Sequence, residues 1–154
     1  MKVAIYPGSF DPITNGHLDI LKRALAIFDK VIILVANNSS KQNRFSTEER
    51  IAMIKEATEG WNIEVDSTSG LTVDYAKKHG ASHLIRGLRE VTDFEYEFQL
   101  ATANEFIDPS IDTVFLMSKQ EKSFISSSMI VELYKQGIDV SPLVPESVIK
   151  RLKK

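Results

Sequence analysis

Three stretches of this 154-residue chain gather residue types that handle phosphate. The first is Pro7-Gly8-Ser9-Phe10-Asp11-Pro12-Ile13-Thr14-Asn15-Gly16-His17. Its prolines and glycines shape a loop that can turn backbone N–H groups toward an anion. The helix start that follows adds orphan donors and a partial positive charge. His17 falls in the first turn of that helix, four residues before Leu21 and eleven before Phe28, on the inward face. An imidazole near a helix N-terminus tends to stay neutral and still donates one hydrogen bond, which suits it to charge growing on phosphate oxygens. For a bare Gly-His pair, a turn capped by Thr14 with a packed histidine is the simpler account. The second stretch, Ile85-Arg86-Gly87-Leu88-Arg89, delivers two arginines where an apolar run ends. Arginine grips phosphate by planar, bidentate hydrogen bonds. Ion pairs with Glu90, Asp93 or Glu97 explain the same residues equally well. The third is Ser123-Phe124-Ile125-Ser126-Ser127-Ser128, in which Ser126 reads as an N-cap and the N–H groups behind it suit an anion. Ordinary capping accounts for one serine more easily than for three. Lys41, in a loop after another apolar run, reads by itself as a solvated charge.

Taken together, Gly8-Ser9-Phe10-Asp11-Pro12 and Thr14-Asn15-Gly16-His17 resemble the signature of the nucleotidyltransferase superfamily. The threonine form of the motif is similar to the phosphopantetheine adenylyltransferase family. Relatives acting on glycerol phosphate or nicotinamide mononucleotide typically carry His at the Thr14 position. Arg86-Gly87-Leu88-Arg89 with Asp93-Phe94-Glu95-Tyr96-Glu97, and then Ile125-Ser126-Ser127-Ser128, resemble further elements of that family in the same order. One position departs: the family often has a basic residue three positions after the last serine, where this chain has Val131.

The resemblance implies transfer of the adenylyl group of ATP to 4′-phosphopantetheine, giving dephospho-coenzyme A and pyrophosphate in coenzyme A synthesis. It implies that His17, Lys41 and Arg86 serve catalysis, and that Ser9, Lys41, Thr72 and Arg86 hold the acceptor. ATP falls to Ser9, Phe10, His17, Gly87, Leu88, Arg89, Glu97, Lys122, Ser123, Phe124, Ile125, Ser126, Ser127 and Ser128. Mg²⁺ is expected with the triphosphate, without a dedicated carboxylate cage. Dephospho-coenzyme A and coenzyme A are expected as product or feedback ligands, and the chain as a homo-oligomer, a hexamer built as a dimer of trimers, in the cytoplasm. Two other readings stay open. One is another small nucleotidyltransferase, using CTP or a mononucleotide acceptor; Thr14 and the Arg86 to Arg89 block weigh against it. The other is a non-catalytic nucleotide sensor; intact His17, Lys41 and Arg86 weigh against that.

Two further patterns carry little. Met117-Ser118-Lys119 is similar to the lysine loop of class I aminoacyl-tRNA synthetases, but the chain is too short and lacks the flanking residues. His79 and His83 have a metal-ligand spacing, yet Gly80 breaks the helix between them.

Composition narrows the field. With 19 Lys+Arg against 21 Asp+Glu the net charge is −2, without the basic excess of a general nucleic-acid binder. The absence of cysteine removes disulfides, thiolate nucleophiles and Cys-based zinc sites; it fits a reducing compartment and is also compatible with secretion. The chain opens as a strand rather than a signal peptide, and Val31 to Ala36 is too short to span a bilayer. A content of 43% hydrophobic and 26% charged residues is that of a folded soluble domain, expected as one unit over residues 1–154.

These residues need elements to position them. Strand patterns at Val3–Tyr6, Val31–Ala36, Asn62–Asp66, Ser82–Ile85 and Thr113–Met117 alternate with helical patterns at Asn15–Phe28, Ser46–Thr58, Leu71–His79 and Thr92–Phe106, then at Ser126–Tyr134 and Pro145–Leu152. Ser46 with Glu49, and Thr92 with Glu95, have capping-box spacing. The alternation predicts an α/β fold, a doubly wound five-stranded parallel sheet, and the resemblance makes it a Rossmann-like nucleotidyltransferase fold. Ligands of such sheets sit beyond the carboxyl ends of the strands, where all of these stretches fall.

Overall fold

The computed structural model of the protein describes residues 1–37, 42–89, 91–119 and 125–154. Its elements run β1 (Val3–Gly8), α1 (Asn15–Leu25), β2 (Lys30–Ala36), α2 (Thr47–Ala57), β3 (Ile63–Thr68), α3 (Thr72–Lys78), β4 (His83–Leu88), α4 (Val91–Ile107), β5 (Asp112–Met117), α5 (Ser127–Lys135) and α6 (Glu146–Leu152). The five strands form one parallel sheet in the order β3-β2-β1-β4-β5. The chain winds outward from β1 to β3, crosses back through α3, and winds outward again from β4 to β5. The direction reverses between β1 and β4, so the loops leaving those two strands diverge and open a crevice.

Alternation along the strands builds two cores. Ala4, Tyr6, Val31, Ile33, Val35 and Ile85 pack on one face with Leu21 and Ala24 of α1, Met53 and Ile54 of α2, Ile130 of α5 and Val148 of α6. Ile5, Ile32, Leu34 and Leu84 pack on the other with Val73 and Ala76 of α3. A strand covered on both faces has no polar side, which is why β2 reads Val-Ile-Ile-Leu-Val without interruption. The same period of two decides where Arg86 goes. It registers with Phe115 of β5, whose ring meets Phe94 of α4 at 6.1 Å, so Arg86 lies on the α4 face. His17 comes from α1, on the opposite face.

Several boundaries differ from expectation. Strand pairing carries β1 through Pro7 and Gly8, opposite Leu34 and Val35, and carries β4 through Arg86, Gly87 and Leu88, opposite Phe115, Leu116 and Met117. Arg86 is therefore a strand residue rather than the first residue of a loop. α1 stops at Leu25; Phe28 is held beyond it by its amide on the Ala24 carbonyl at 2.9 Å. α4 opens at Val91, so Thr92 lies inside its first turn instead of at the cap. The expected box of Ser46 with Glu49 opens α2, and a box that the sequence did not suggest, Thr14 with His17, opens α1. Among the described residues no helix is long and apolar enough to cross a membrane.

Candidate active site

The crevice holds a cavity of about 370 Å³. Its walls come from Tyr6 to Asp11 with Thr14, Gly16 and His17, from Gln42 and Arg44, from Arg86, Gly87 and Arg89, from Glu97 and Ser118, and from Ile125 to Ser128. Loops from β1, β2, β4 and β5 thus converge on one volume, together with the starts of α1 and α5.

The loop after β1 is shaped by one unusual residue. Phe10 adopts φ 47°, a left-handed backbone that costs a non-glycine residue free energy, and it is buried. Its ring folds back over Gly8, where a Cβ would stand only 3.1 Å from the ring carbons. Gly8 is glycine because the Phe10 ring occupies that space. The ring also meets the imidazole of His17, with centroids 5.0 Å apart and planes at 73°.

His17 occupies the third position of α1 and exchanges hydrogen bonds with the cap. The Thr14 hydroxyl accepts the His17 amide at 3.2 Å, and His17 Nδ1 accepts the Thr14 amide at 3.0 Å. An N–H donor at Nδ1 requires a lone pair there, so the proton of the neutral ring sits on Nε2. Burial, with Arg89 and then Arg86 adding positive charge nearby, pushes the His17 pKa from 6.5 down to about 4. The imidazole is neutral at physiological pH, as the sequence led one to expect. The cause is enclosure and two arginines rather than the helix end alone.

Arg86 and Glu97 form a two-pronged pair across the α4 face. Arg86 Nε donates to Glu97 Oε2 at 2.7 Å and Nη2 to Oε1 at 2.6 Å, while Nη1 donates to the Pro7 carbonyl at 3.0 Å. Burial opposes the charge on Arg86, but the hydrogen bonds and the charge of Glu97 outweigh it, so its pKa is raised and it stays a cation. The ion-pair reading of this arginine is realised, yet in the cavity wall instead of on the surface. Three of its five N–H donors have these partners, and the pair fixes the plane of the guanidinium.

The serines at the start of α5 divide their work. Ser126 caps the helix, its hydroxyl accepting the Met129 amide at 3.2 Å. The Ser127 hydroxyl donates to the Pro12 carbonyl at 2.9 Å and ties α5 to the loop after β1. Ser128 and Ile125 complete that wall.

Comparison with known proteins agrees with this geometry. Residues 5–133 match the cytidylyltransferase-like family. The phosphopantetheine adenylyltransferase of Alkaliphilus metalliredigens is 51% identical over 155 residues, covering 100% of this chain and 99% of the relative. That of Caldanaerobacter subterraneus subsp. tengcongensis is 50% identical over 153 residues, covering 99% and 96%. The chain belongs to the phosphopantetheine adenylyltransferase family.

The fold reaches further than the sequence. A solved structure assigned to a nicotinate-nucleotide adenylyltransferase of Vibrio parahaemolyticus superposes with TM-score 0.72 at 18% identity, covering 100% of both chains. A lipopolysaccharide core biosynthesis protein of Thermoplasma volcanium superposes with TM-score 0.57 at 19% identity over 77% of this chain and 97% of that one. These two share the fold with the phosphopantetheine adenylyltransferase family.

Of the residues that the family resemblance assigns, Ser9, Phe10, His17, Arg86, Gly87, Arg89, Glu97, Ile125, Ser126, Ser127 and Ser128 are brought together around the cavity. Leu88 ends β4 and Thr72 begins α3, and neither lines it. Lys41, Lys122, Ser123 and Phe124 lie outside the described residues. The sequence reading also left out residues that shape the site, Arg44, Asp11 and Arg50 among them. Arg44 lines the cavity. Asp11 is buried, and accepts the amides of Arg44 at 2.7 Å and Phe45 at 3.0 Å. Arg50 is 1% exposed. A signal for Arg50 was present: it falls three and four residues before Met53 and Ile54, a charge on the buried stripe of a helix.

Proposed function

We propose that the chain transfers the adenylyl group of ATP to the phosphate of 4′-phosphopantetheine, releasing pyrophosphate and forming dephospho-coenzyme A. The reading is carried by a full-length likeness of about half the residues to named phosphopantetheine adenylyltransferases, in a chain whose His17 and Arg86 wall one cavity from opposite faces of the sheet.

The acceptor phosphate is already ionised, so its oxygen attacks the α-phosphorus without surrendering a proton, and pyrophosphate leaves. No general base is needed. The chain has to align two anions and stabilise the charge that shifts onto the α-phosphate and the leaving group. His17 fits the second task, because its Nε2–H is a donor fixed by the Thr14 amide on the other ring nitrogen. Arg86, held planar by Glu97, fits the acceptor phosphate, with Lys41, Ser9 and Thr72 assigned to the same substrate. Phe10, Gly87, Leu88, Arg89, Glu97 and the segment from Lys122 to Ser128 are assigned to ATP.

Mg²⁺ enters in this reading with the triphosphate, as part of the nucleotide substrate. Support comes from the two carboxylates that line the cavity among the described residues: Glu97 is paired with Arg86 and Asp11 accepts two backbone amides. Assembly into a hexamer is supported by the apolar residues that α4 leaves uncovered, Phe98 at 57% and Phe106 at 89% exposed. A cytoplasmic location and binding of coenzyme A as a feedback ligand belong to the same proposal.

The test is pyrophosphate release with ATP and phosphopantetheine, run beside glycerol phosphate with CTP and nicotinamide mononucleotide with ATP. Turnover confined to the first pair upholds the proposal. Preference for either other pair, or no turnover at all, rejects it.

A further inference from the structure

Arg50 is among the largest fully buried side chains of the protein, yet it carries a charge. An interior guanidinium is retained only where its donors are met. Nε donates to the Phe45 carbonyl at 3.2 Å. Nη1 donates to the carbonyls of Ser9 at 2.8 Å and Ala36 at 3.1 Å, and Nη2 to the Thr47 hydroxyl at 3.2 Å. One side chain thus joins the loop after β1, the last residue of β2 and the segment entering α2. Asp11 grips that last segment from the other side, through the amides of Arg44 and Phe45. The anion holds the N–H of Phe45 while the cation holds its carbonyl.

We propose that Asp11 and Arg50 are positioning residues for adenylyl transfer, a latch on Phe45 that sets the distance between the nucleotide loop and the acceptor-side segment. The inference rests on the proposed function. Ser9 and His17 stand on one side of the cavity. Arg44, in the segment that follows Lys41 and enters α2, lines the same cavity. Neither Asp11 nor Arg50 has to touch a reacting atom to govern how closely the two sides approach. Attack on the α-phosphorus is sensitive to that approach, and a misplacement of about 1 Å can cost on the order of 100-fold in rate.

The latch is tested with Arg50→Lys, which keeps the charge but cannot fork to three segments, and with Asp11→Asn, which keeps the shape but loses one acceptor. Both are assayed as intact chains, with rates normalised to the folded fraction from circular dichroism. Each is expected to lower kcat roughly 10–100-fold while KM for ATP stays within about threefold, as for loss of transition-state alignment alone. The double variant should lose less than the product of the two single losses, since both act through Phe45. Amide hydrogen exchange gives a readout independent of turnover: Arg50→Lys should speed exchange in residues 8–13 and 42–47 and leave residues 30–35 unchanged. A kcat within twofold of the parent, a rise in KM for ATP without loss of kcat, multiplicative losses, or exchange unchanged in both segments would each overturn the latch. If the parent chain itself shows no adenylyl transfer, the proposed function fails, and the exchange data still decide whether the latch exists. Should Arg50→Lys fail to fold, Asp11→Asn carries the same measurements.

Discussion

The amide of Thr14 donates to Nδ1 of His17 at 3.0 Å, and the hydroxyl of the same threonine accepts the amide of His17 at 3.2 Å. One reciprocal cap fixes the start of α1, the tautomer of the ring and the direction of its remaining N–H. The backbone amide at position 14 therefore selects which nitrogen of the histidine keeps the proton, while the threonine hydroxyl caps the helix. A histidine at that position would lack the short hydroxyl that caps the amide.

Replacing His17 by Ala should lower kcat by roughly 10²–10³, the loss expected for one preorganised donor to a developing oxyanion. KM for ATP should change only a few-fold, because the donor acts mainly in the transition state. Steady-state kinetics with circular dichroism checks this. An unchanged kcat with a raised KM would make His17 a ground-state ligand only.

The ring should remain neutral well below the ordinary range. Its pKa in the folded chain is about 4 against 6.5, so between those values the unfolded chain takes up a proton that the folded chain refuses. The His17 contribution to stability is full above pH 6.5 and is lost as pH falls toward 4. Titration of the His17 ring by NMR should show its inflection near pH 4. An inflection near 6.5 would remove both the enclosure and the fixed tautomer.

Arg86→Ala should weaken binding of phosphopantetheine by roughly 1.5–3 kcal/mol and of ATP by much less, the scale of one charge-assisted bidentate contact. The same change leaves Glu97, 8% exposed, with its charge uncompensated. It should therefore also destabilise the fold, by about 3 kcal/mol, and Arg86→Ala with Glu97→Gln should recover part of that loss. Calorimetric titration of each ligand and denaturant unfolding separate the two effects. Equal weakening of both ligands would take Arg86 away from the acceptor.

Light scattering at micromolar concentration should give a mass several times the 17.3 kDa of one chain. Phe98→Glu, placing a charge on the uncovered face of α4, should lower that mass. A parent chain that runs as a monomer would refute assembly through this face.

Much was legible in the residues themselves. The alternation of apolar runs with helical stripes determined a parallel sheet wound in two directions. Ser46 with Glu49 and Ser126 at α5 determined helix starts, because a cap depends on residues within a single turn. The loop from Gly8 to His17 was readable as a candidate site for the same reason: its residue types are contiguous, and most of them line the cavity.

Tertiary structure decided what depends on residues distant in sequence. Pairing with β5 made Arg86 a strand residue, and the strand period then turned it toward Glu97 of α4. Local spacing offered Glu90, Asp93 and Glu97 alike as its partner. Enclosure by Phe10 and Tyr6, with Arg89 and Arg86 nearby, set the charge state of His17. Arg50 reaches a carbonyl 41 residues away in Ser9, and although helical period places it beside Met53 and Ile54, nothing local names its partners. Propensity, period and capping act over a few residues, and the sequence determines them by itself. Hydrogen-bond partners, desolvation and strand length are set by which surfaces the packed sheet brings together.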